Sequence, residues 1–261
     1  MSGRRSAPLL KVHLGLVFLF LYGPILVLVA LSFNRAGLPT AWTGFSFRWY
    51  EALVSNASIH HAVANTLIVA ASSTLIATAL GTLLAIGVER GRGGAALDAA
   101  LFAPMIIPDI VLAIALLSFF SMLKMTLGLH SIVLAHVVFN IAFVAAVVRT
   151  RLKHFDWAVV EASVDLGASA LTTFRLVTLP IIFPGVLAGA LLAFTLSVDE
   201  FIIAFFTAGA GRASTTLPMQ IYSMIRFGIT PEINALATIV MVISITALTL
   251  SQRLNRGMIG Q

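Results

Sequence analysis

Residues 161–180 read EASVDLGASALTTFRLVTLP, a stretch of small and polar residues between two strongly apolar regions of the chain. The pair Glu161 and Ala162 opens it, Gly167 follows six residues after the glutamate, and Pro180 ends it. Each flanking region is long enough to cross a bilayer. The stretch is therefore predicted to lie at a membrane surface, between two membrane-spanning helices.

The capping residues of this region predict a helix–turn–helix. Asp156 can cap a helix that begins at Trp157, and Gly167 is suited to end it because glycine tolerates a positive φ. Ser169 can cap a second short helix. That helix is predicted to end before Pro180, because the residue preceding a proline avoids the helical region.

The first of these helices would expose both charge and apolar surface. Glu161 and Asp165 lie four residues apart and so share one side of the helix. A compact knob of this kind fits a groove in a partner protein and can transmit a rigid-body push; the alternative is an ordinary solvated loop. The small apolar surface consists of Ala158, Val159, Ala162 and Leu166.

The composition indicates that the bilayer is the solvent of this chain. Charged residues make up 10% of it, whereas ordinary soluble domains contain about 25%. Apolar residues reach 59%, and the mean hydropathy is +1.03. There is no cysteine, which excludes disulfides and thiolate chemistry. The basic residues lie at the ends of apolar stretches and form no run interleaved with aromatics, so nucleic-acid binding is not indicated.

Six apolar stretches predict an all-α membrane protein with six transmembrane helices. A span needs roughly 17–25 residues to cross about 30 Å of hydrocarbon. The predicted spans are Leu14–Phe33, Ala62–Val88, Ala96–Met122, Ser131–Val148, Ile181–Phe206 and Ile233–Ser251.

The distribution of Lys and Arg predicts that both termini are cytoplasmic. With six spans the two termini share one side, and the side richer in Lys and Arg is the cytoplasmic one. The opposite side would carry five of the sixteen basic residues, Arg35, Arg48, Lys124, Arg212 and Arg226. The terminal side would carry the other eleven, Arg4, Arg5, Lys11, Arg90, Arg92, Arg149, Arg151, Lys153, Arg175, Arg253 and Arg256.

This arrangement divides the chain into three predicted parts. Residues 1–61 form an N-terminal transmembrane helix and an extracytoplasmic segment, in which 46–58 is predicted to rest on the headgroups as an interfacial helix. Residues 62–252 form a core of five transmembrane helices that includes the cytoplasmic segment 156–180. Residues 253–261 form a cytoplasmic tail.

Residues 161–180 resemble the EAA loop of ABC importer permeases, the cytoplasmic segment that docks on the ATPase subunit. The sequence departs from the usual pattern at Ser163, where alanine is common, and at Val177, where isoleucine is common. The resemblance implies the type I importer permease fold. It also assigns ATPase coupling to Glu161, Ala162, Ser163, Asp165, Gly167 and Pro180.

Further segments resemble one subfamily, the second permease of spermidine/putrescine importers. Residues 65–85 resemble its second helix and residues 104–112 the opening of its third, while 195–201 and 217–239 are more similar still. The resemblance implies a polyamine substrate, with another organic cation, an opine-like compound or a metal ion as alternatives. The implied partners are a second permease, two ATP-binding subunits and an extracytoplasmic binding protein in a cell membrane, the inner one if the envelope has two.

The sequence contains no P-loop, so this chain is not predicted to be an enzyme. A P-loop requires a Gly-Lys pair, and the three lysines, Lys11, Lys124 and Lys153, all follow leucine. The chain is expected to bind no cofactor or metal of its own. ATP and magnesium would be used by the partner ATPase. The other classes considered are a secondary transporter or channel, which usually shows an internal repeat, and an intramembrane enzyme, which needs a placed nucleophile or metal cluster.

Carboxylates inside the predicted spans are the candidate substrate-pathway residues. Asp109 follows Pro108 in the third span, and Asp199 and Glu200 fall in the fifth. A charge at mid-bilayer costs roughly 2.5–3.5 kcal/mol, so these side chains need a wet cavity, a partner or a proton. They would attract a polycation, and Phe201 could add a cation–π contact. The alternative is that one acid caps a broken helix or pairs with an outer arginine.

Two other patterns favour packing roles. Gly185, Gly189 and Ala193 form a small-residue ridge that permits close helix approach, either within this chain or to the partner permease. His136 and Asn140, four residues apart in the fourth span, are expected to hydrogen-bond across helices.

Overall fold

The computed structural model describes residues 6–37, 41–92, 94–226 and 231–259. Within them the chain is helical, with one isolated antiparallel bridge between Asn34 and Phe45. The predicted all-α class is therefore confirmed for the described residues. The helices are α1 (Ser6–Ser32), α2 (Arg48–Ser55), α3 (Ala57–Gly87), α4 (Ala95–Ile106), α5 (Asp109–Met122), α6 (Leu129–Leu152), α7 (Ala158–Asp165), α8 (Ala170–Thr173), α9 (Leu179–Asp199), α10 (Ile202–Thr207), α11 (Leu217–Arg226) and α12 (Pro231–Ile259).

Four continuous helical segments are long and apolar enough to cross a membrane. They are Leu10–Ser32, Ala57–Gly91, Leu129–Leu152 and Ala170–Asp199. The predicted sixth span corresponds to the shorter apolar helix Pro231–Thr246 within α12. The described residues thus contain four such helices, or five if the bent pair α4 and α5 is counted as one span.

The predicted third span, Ala96–Met122, is not one straight helix. It consists of α4 and α5, whose axes differ by 110° across a break at Ile107 and Pro108. Pro108 lacks an N–H and cannot continue the hydrogen-bond ladder of α4. Both of these residues are extended, with ψ near 132° and 136°.

The boundaries of the predicted fifth span are also wrong. The helix does not stop before Pro180: a π-helical turn, Phe174–Thr178, joins α8 to α9, and Leu179 keeps helical angles of −59° and −45°. The N–H of Leu179 bonds to the carbonyl of Phe174, five residues back. The wider turn lets the chain pass a proline without ending the helix. At its other end the helix stops at Asp199, so Phe206 lies in the separate α10.

One compact unit contains residues 1–57 and 221–261, in which α12 packs against α1 and α2. Asn34 organises the chain after α1: its side-chain amide donates to the carbonyl of Ala41 at 2.7 Å and accepts from the N–H of Thr43 at 3.0 Å. The predicted interfacial helix 46–58 corresponds to α2. The predicted tail 253–261 is helical to Ile259, and its last two residues lie outside the described part, as do Arg4 and Arg5.

The second unit, residues 58–220, is built around α6. Helix α9 packs closely against α6 at two glycines, as the small-residue ridge predicts. A Cβ on Gly185 would lie 2.9 Å from the Cβ of Arg151, and one on Gly189 would lie 3.4 Å from the backbone of Val144. The ridge is therefore used for packing within this chain. On other sides α6 packs against α4, α5 and α10.

Candidate functional site

The segment 156–180, called the coupling segment below, forms the predicted helical hairpin. Asp156 accepts the N–H of Ala158 at 3.0 Å, so α7 begins one residue later than predicted. Gly167 has φ +84° and ends the helix. The N–H of Gly167 donates to the carbonyl of Val164, and the N–H of Ala168 donates to the carbonyl of Ser163 at 3.1 Å. These two bonds form a Schellman motif.

The second helix of the hairpin is capped as predicted and tied to the first. The Ser169 hydroxyl accepts the N–H of Thr172 at 3.2 Å. The hydroxyls of Ser163 and Thr173 lie 3.0 Å apart and connect the two helices. Ser163, a departure from the common alanine, therefore has a partner that alanine could not bind.

The hairpin exposes both apolar and acidic side chains. Leu166 is 88% exposed, Leu171 65% and Leu176 73%. Glu161 and Asp165 are both exposed on α7. Leu171 and Leu176 belong to the apolar segment Ala170–Asp199, whereas Leu166 lies on the connecting hairpin before it.

The inner surface of the hairpin is packed on the helical bundle. Val160, 6% exposed, joins the core formed with Val148, Leu152 and Phe155. The ring of Trp157 meets Phe155 edge-on at 4.8 Å. This core holds α7 against the end of α6.

Three helix ends beside the hairpin are joined by Arg149. Its Nε lies 2.8 Å from a carboxylate oxygen of Glu89, and its Nη1 lies 2.8 Å from Asp98. Arg149 is in the last turn of α6, Glu89 is in the π-helical turn after α3, and Asp98 is in the first turn of α4. Arg90, which follows Glu89 in the sequence, has its guanidinium 4.9 Å from the centroid of the Trp157 ring. The positions of Arg149 and Arg90 in the sequence indicate only that both lie on the basic side of the membrane, and not which residues they contact.

The candidate pathway carboxylates all lie at helix breaks. Asp109 is in the first turn of α5, immediately after the break from α4. Asp199 is the last residue of α9, and Glu200 separates it from α10. Helix α5, which begins at Asp109, packs against α10, which follows Glu200. The tertiary structure therefore makes neighbours of two helices that start beside these acids and come from distant parts of the sequence.

The individual environments of these acids differ. Glu200 is half-buried and its Oε1 accepts the N–H of Ile203 at 2.8 Å, so it caps α10. This is the capping role that the sequence left open as an alternative. Asp199 is exposed and Asp109 is partly exposed. Phe201 directly follows Glu200, and its ring lies 5.4 Å from that of Phe205 at a tilt of 41°.

A buried hydrogen-bond chain links α3, α6 and α9, and the sequence indicated only part of it. His136 Nδ1 lies 2.7 Å from the hydroxyl of Ser197, which lies 3.1 Å from that of Ser73. The predicted cross-helix role of His136 is confirmed. For Asn140 it is not, because neither amide atom has a partner among the described residues.

No group of three or more His, Asp or Glu side chains in the described part of the chain is arranged to hold a metal ion.

The sequence and the fold both match known proteins. Residues 77–259 match the family described as the inner membrane component of binding-protein-dependent transport systems. The chain is 40% identical over 242 residues to the spermidine/putrescine transport system permease protein PotC of Haemophilus influenzae, covering 92% of this chain and 93% of that protein. It is 43% identical over 235 residues to the putrescine transport system permease protein PotI of Escherichia coli, covering 86% and 82%.

Among solved structures, the fold is similar to a chain of a bacterial ABC transporter involved in the import of the acidic polysaccharide alginate. The TM-score is 0.73 over 97% of this chain and 98% of that chain, at 15% sequence identity. At this identity the likeness concerns the fold alone.

Proposed function

Because the chain belongs to the family of inner membrane components of binding-protein-dependent transport systems, we propose that it is a permease subunit of an ATP-driven importer for polyamines. The polyamine assignment is supported by the 40–43% identity to permeases named for spermidine and putrescine, over 86–92% of this chain. The assembly would contain a second permease, two ATP-binding subunits and an extracytoplasmic binding protein. ATP and magnesium would be used by the ATP-binding subunits.

The proposed topology has six transmembrane helices with both termini in the cytoplasm. The excess of Lys and Arg, eleven against five, supports this orientation. The bent pair α4 and α5 would form the third crossing, and α12 the sixth. The coupling segment then lies on the cytoplasmic side, where ATP is available.

The coupling segment would dock on the ATP-binding subunit. Its exposed leucines, including Leu166 and Leu171, would enter an apolar groove, and Glu161 and Asp165 would lie at the rim. The Schellman turn at Gly167 and the Ser163–Thr173 contact support a rigid hairpin. A rigid hairpin would transmit the movement of the ATP-binding subunit to the membrane-spanning helices, whereas a hairpin that deforms would not.

The polyamine would pass the acids at the two helix breaks. Broken helices expose backbone groups and often form substrate sites in transporters. Asp199 and Asp109 would attract the ammonium groups, and the Phe201 and Phe205 rings would add cation–π attraction. Glu200 would chiefly hold α10 in place, because its carboxylate already binds the N–H of Ile203.

The test is reconstitution of the complete complex in proteoliposomes with its binding protein. We expect ATP-dependent uptake of labelled spermidine or putrescine that requires this chain and a hydrolysing ATPase. Uptake driven by an ion gradient without ATP would instead indicate a secondary transporter. ATP-dependent uptake of a different solute, with no polyamine uptake, would support the ATP-driven importer and contradict the proposed polyamine substrate.

A further inference from the structure

We propose that Glu89 and Arg90 are positioning residues that pass the movement of the coupling segment to the membrane-spanning helices around Arg149. The proposal rests on the proposed function, because it names the connection between the docked hairpin and the spans. Two adjacent side chains have different partners here. Glu89 binds Arg149, whereas Arg90 lies over the ring of Trp157.

The hairpin side of this connection is the contact between Arg90 and Trp157. Trp157 directly precedes α7, and its ring is also fixed against Phe155 at 4.8 Å. A tilt of α7 therefore moves the indole ring. The guanidinium of Arg90, 4.9 Å from the ring centroid, is attracted to it and would follow.

The membrane side of the connection is the double ion pair of Arg149. Its guanidinium binds Glu89 and Asp98 with two different nitrogens, both at 2.8 Å. The fixed fork geometry of arginine allows this simultaneous binding, which a lysine cannot reproduce. The side chains of Arg149 and Glu89 are only 18% and 20% exposed, so solvent screens the pair less than a surface pair. Displacing Glu89 therefore displaces the ends of α6 and α4.

The two sides are connected by a single peptide bond between Glu89 and Arg90. This short connection cannot absorb a displacement of several ångströms, because the backbone has few free dihedral angles there. The turn that contains it, Val88–Arg92, is π-helical and departs from helical angles at Gly91, where φ is +71°. Because Gly91 follows the two residues, Glu89 and Arg90 remain part of the continuous helical segment Ala57–Gly91, and a displacement of them is passed to α3.

The experiment measures polyamine molecules taken up per ATP hydrolysed in the reconstituted complex. The variants are Glu89→Gln, Arg149→Lys and Arg90→Gln, with Lys153→Gln as the matched control. Lys153 is an exposed cation at the same end of α6, and no ion pair of the described residues involves it. We expect each of the three variants to lower the uptake per ATP at least threefold, with unchanged complex yield and basal ATPase activity. A Glu89→Gln/Arg90→Gln double variant should lose little more of the uptake per ATP than either single variant, because both interrupt one connection.

The proposal is overturned if the three variants keep the uptake per ATP of Lys153→Gln. It is also overturned if they lower complex yield and activity in proportion while the ratio stays constant, since that is the effect of a purely structural ion pair. Arg149→Lys retains the charge and keeps the test decisive if Glu89→Gln does not assemble. A Gly167→Val variant separates the docking role of the coupling segment from the connection through Glu89 and Arg90. If it uncouples the complex while the three variants do not, only this inference fails; if it too remains coupled, the docking role of the coupling segment fails.

Discussion

The imidazole Nδ1 of His136 lies 2.7 Å from the hydroxyl oxygen of Ser197, and this contact joins α6 to α9 inside the helical bundle. Both side chains are almost completely buried, at 1% and 2% exposure. No water can replace a lost partner easily at such a position. The contact is therefore expected to stabilise the packing of the two helices.

Replacing Ser197 with alanine should destabilise the protein by about 1–3 kcal/mol, because the imidazole nitrogen would be buried without a partner. The measurement is the thermal unfolding midpoint of the purified complex. Thr195→Ala is the control, since Thr195 is exposed and its hydroxyl bonds to the carbonyl of Leu191 in the same helix. Equal midpoints for the two variants would show that the His136 contact contributes nothing.

Replacing Gly167 with valine should uncouple uptake from ATP hydrolysis. Its φ of +84° disfavours a β-branched residue, so the turn of the hairpin would be distorted while the spans stay inserted. Uptake and substrate-stimulated ATPase activity of the complex are measured together, and we expect a severalfold fall in uptake per ATP. Glu161→Ala should have a milder effect in the same direction.

The control for this glycine is Ala170→Val, an exposed helical position in the same hairpin. It introduces the same side chain without a positive φ. Normal coupling in Gly167→Val, or equal defects in both variants, would contradict the requirement for a rigid turn.

Neutralising Asp199 should reduce polyamine uptake about tenfold without reducing complex yield. An opposite charge at 4 Å is worth roughly 4 kcal/mol at an effective dielectric near 20, and about 1.4 kcal/mol of this suffices for a tenfold change. The variants are Asp199→Asn and its combination with Glu200→Gln, assayed with labelled spermidine and putrescine. Full uptake by the double variant would remove both residues from the pathway.

Glu200 should respond differently from Asp199, because it caps α10. Glu200→Gln keeps an oxygen that can accept the N–H of Ile203, whereas Glu200→Ala removes it. We expect the alanine variant to lower the yield of assembled complex and the glutamine variant to retain it. Glu51→Gln, at an exposed acid of α2, is the control for loss of one negative charge.

Replacing Gly185 with leucine should destabilise the complex by about 1–3 kcal/mol through overpacking. Even a Cβ at this position would lie 2.9 Å from the Cβ of Arg151. Gly15→Leu provides the control, because the described residues, apart from the chain neighbours and helical backbone of Gly15 itself, place no atom within 4 Å of the corresponding Cβ position. The measurement is again the unfolding midpoint. An unchanged midpoint for Gly185→Leu would mean that α9 can move away from α6 at no cost.

Local chemistry explains which parts of the fold could be predicted. The caps at Asp156 and Ser169 and the positive φ of Gly167 depend on residues close in sequence, so their types and spacing indicated the hairpin. The passage through Pro180 could not be predicted in this way. A π-helical turn upstream redistributes the hydrogen bonds, and the local preference against helix at Leu179 is overcome by the continuation into α9.

By itself the sequence determined that the chain is an apolar, all-helical membrane protein with a capped hairpin between two spans, since hydropathy and capping act over a few residues. Only the tertiary structure decided which polar groups meet. Arg149 joins Glu89 and Asp98, and Ser197 meets His136, across separate helices. Such pairs depend on how helices cross and on where they break, as at Pro108. Within nearly uniform apolar spans, no periodicity of the sequence specifies those crossings.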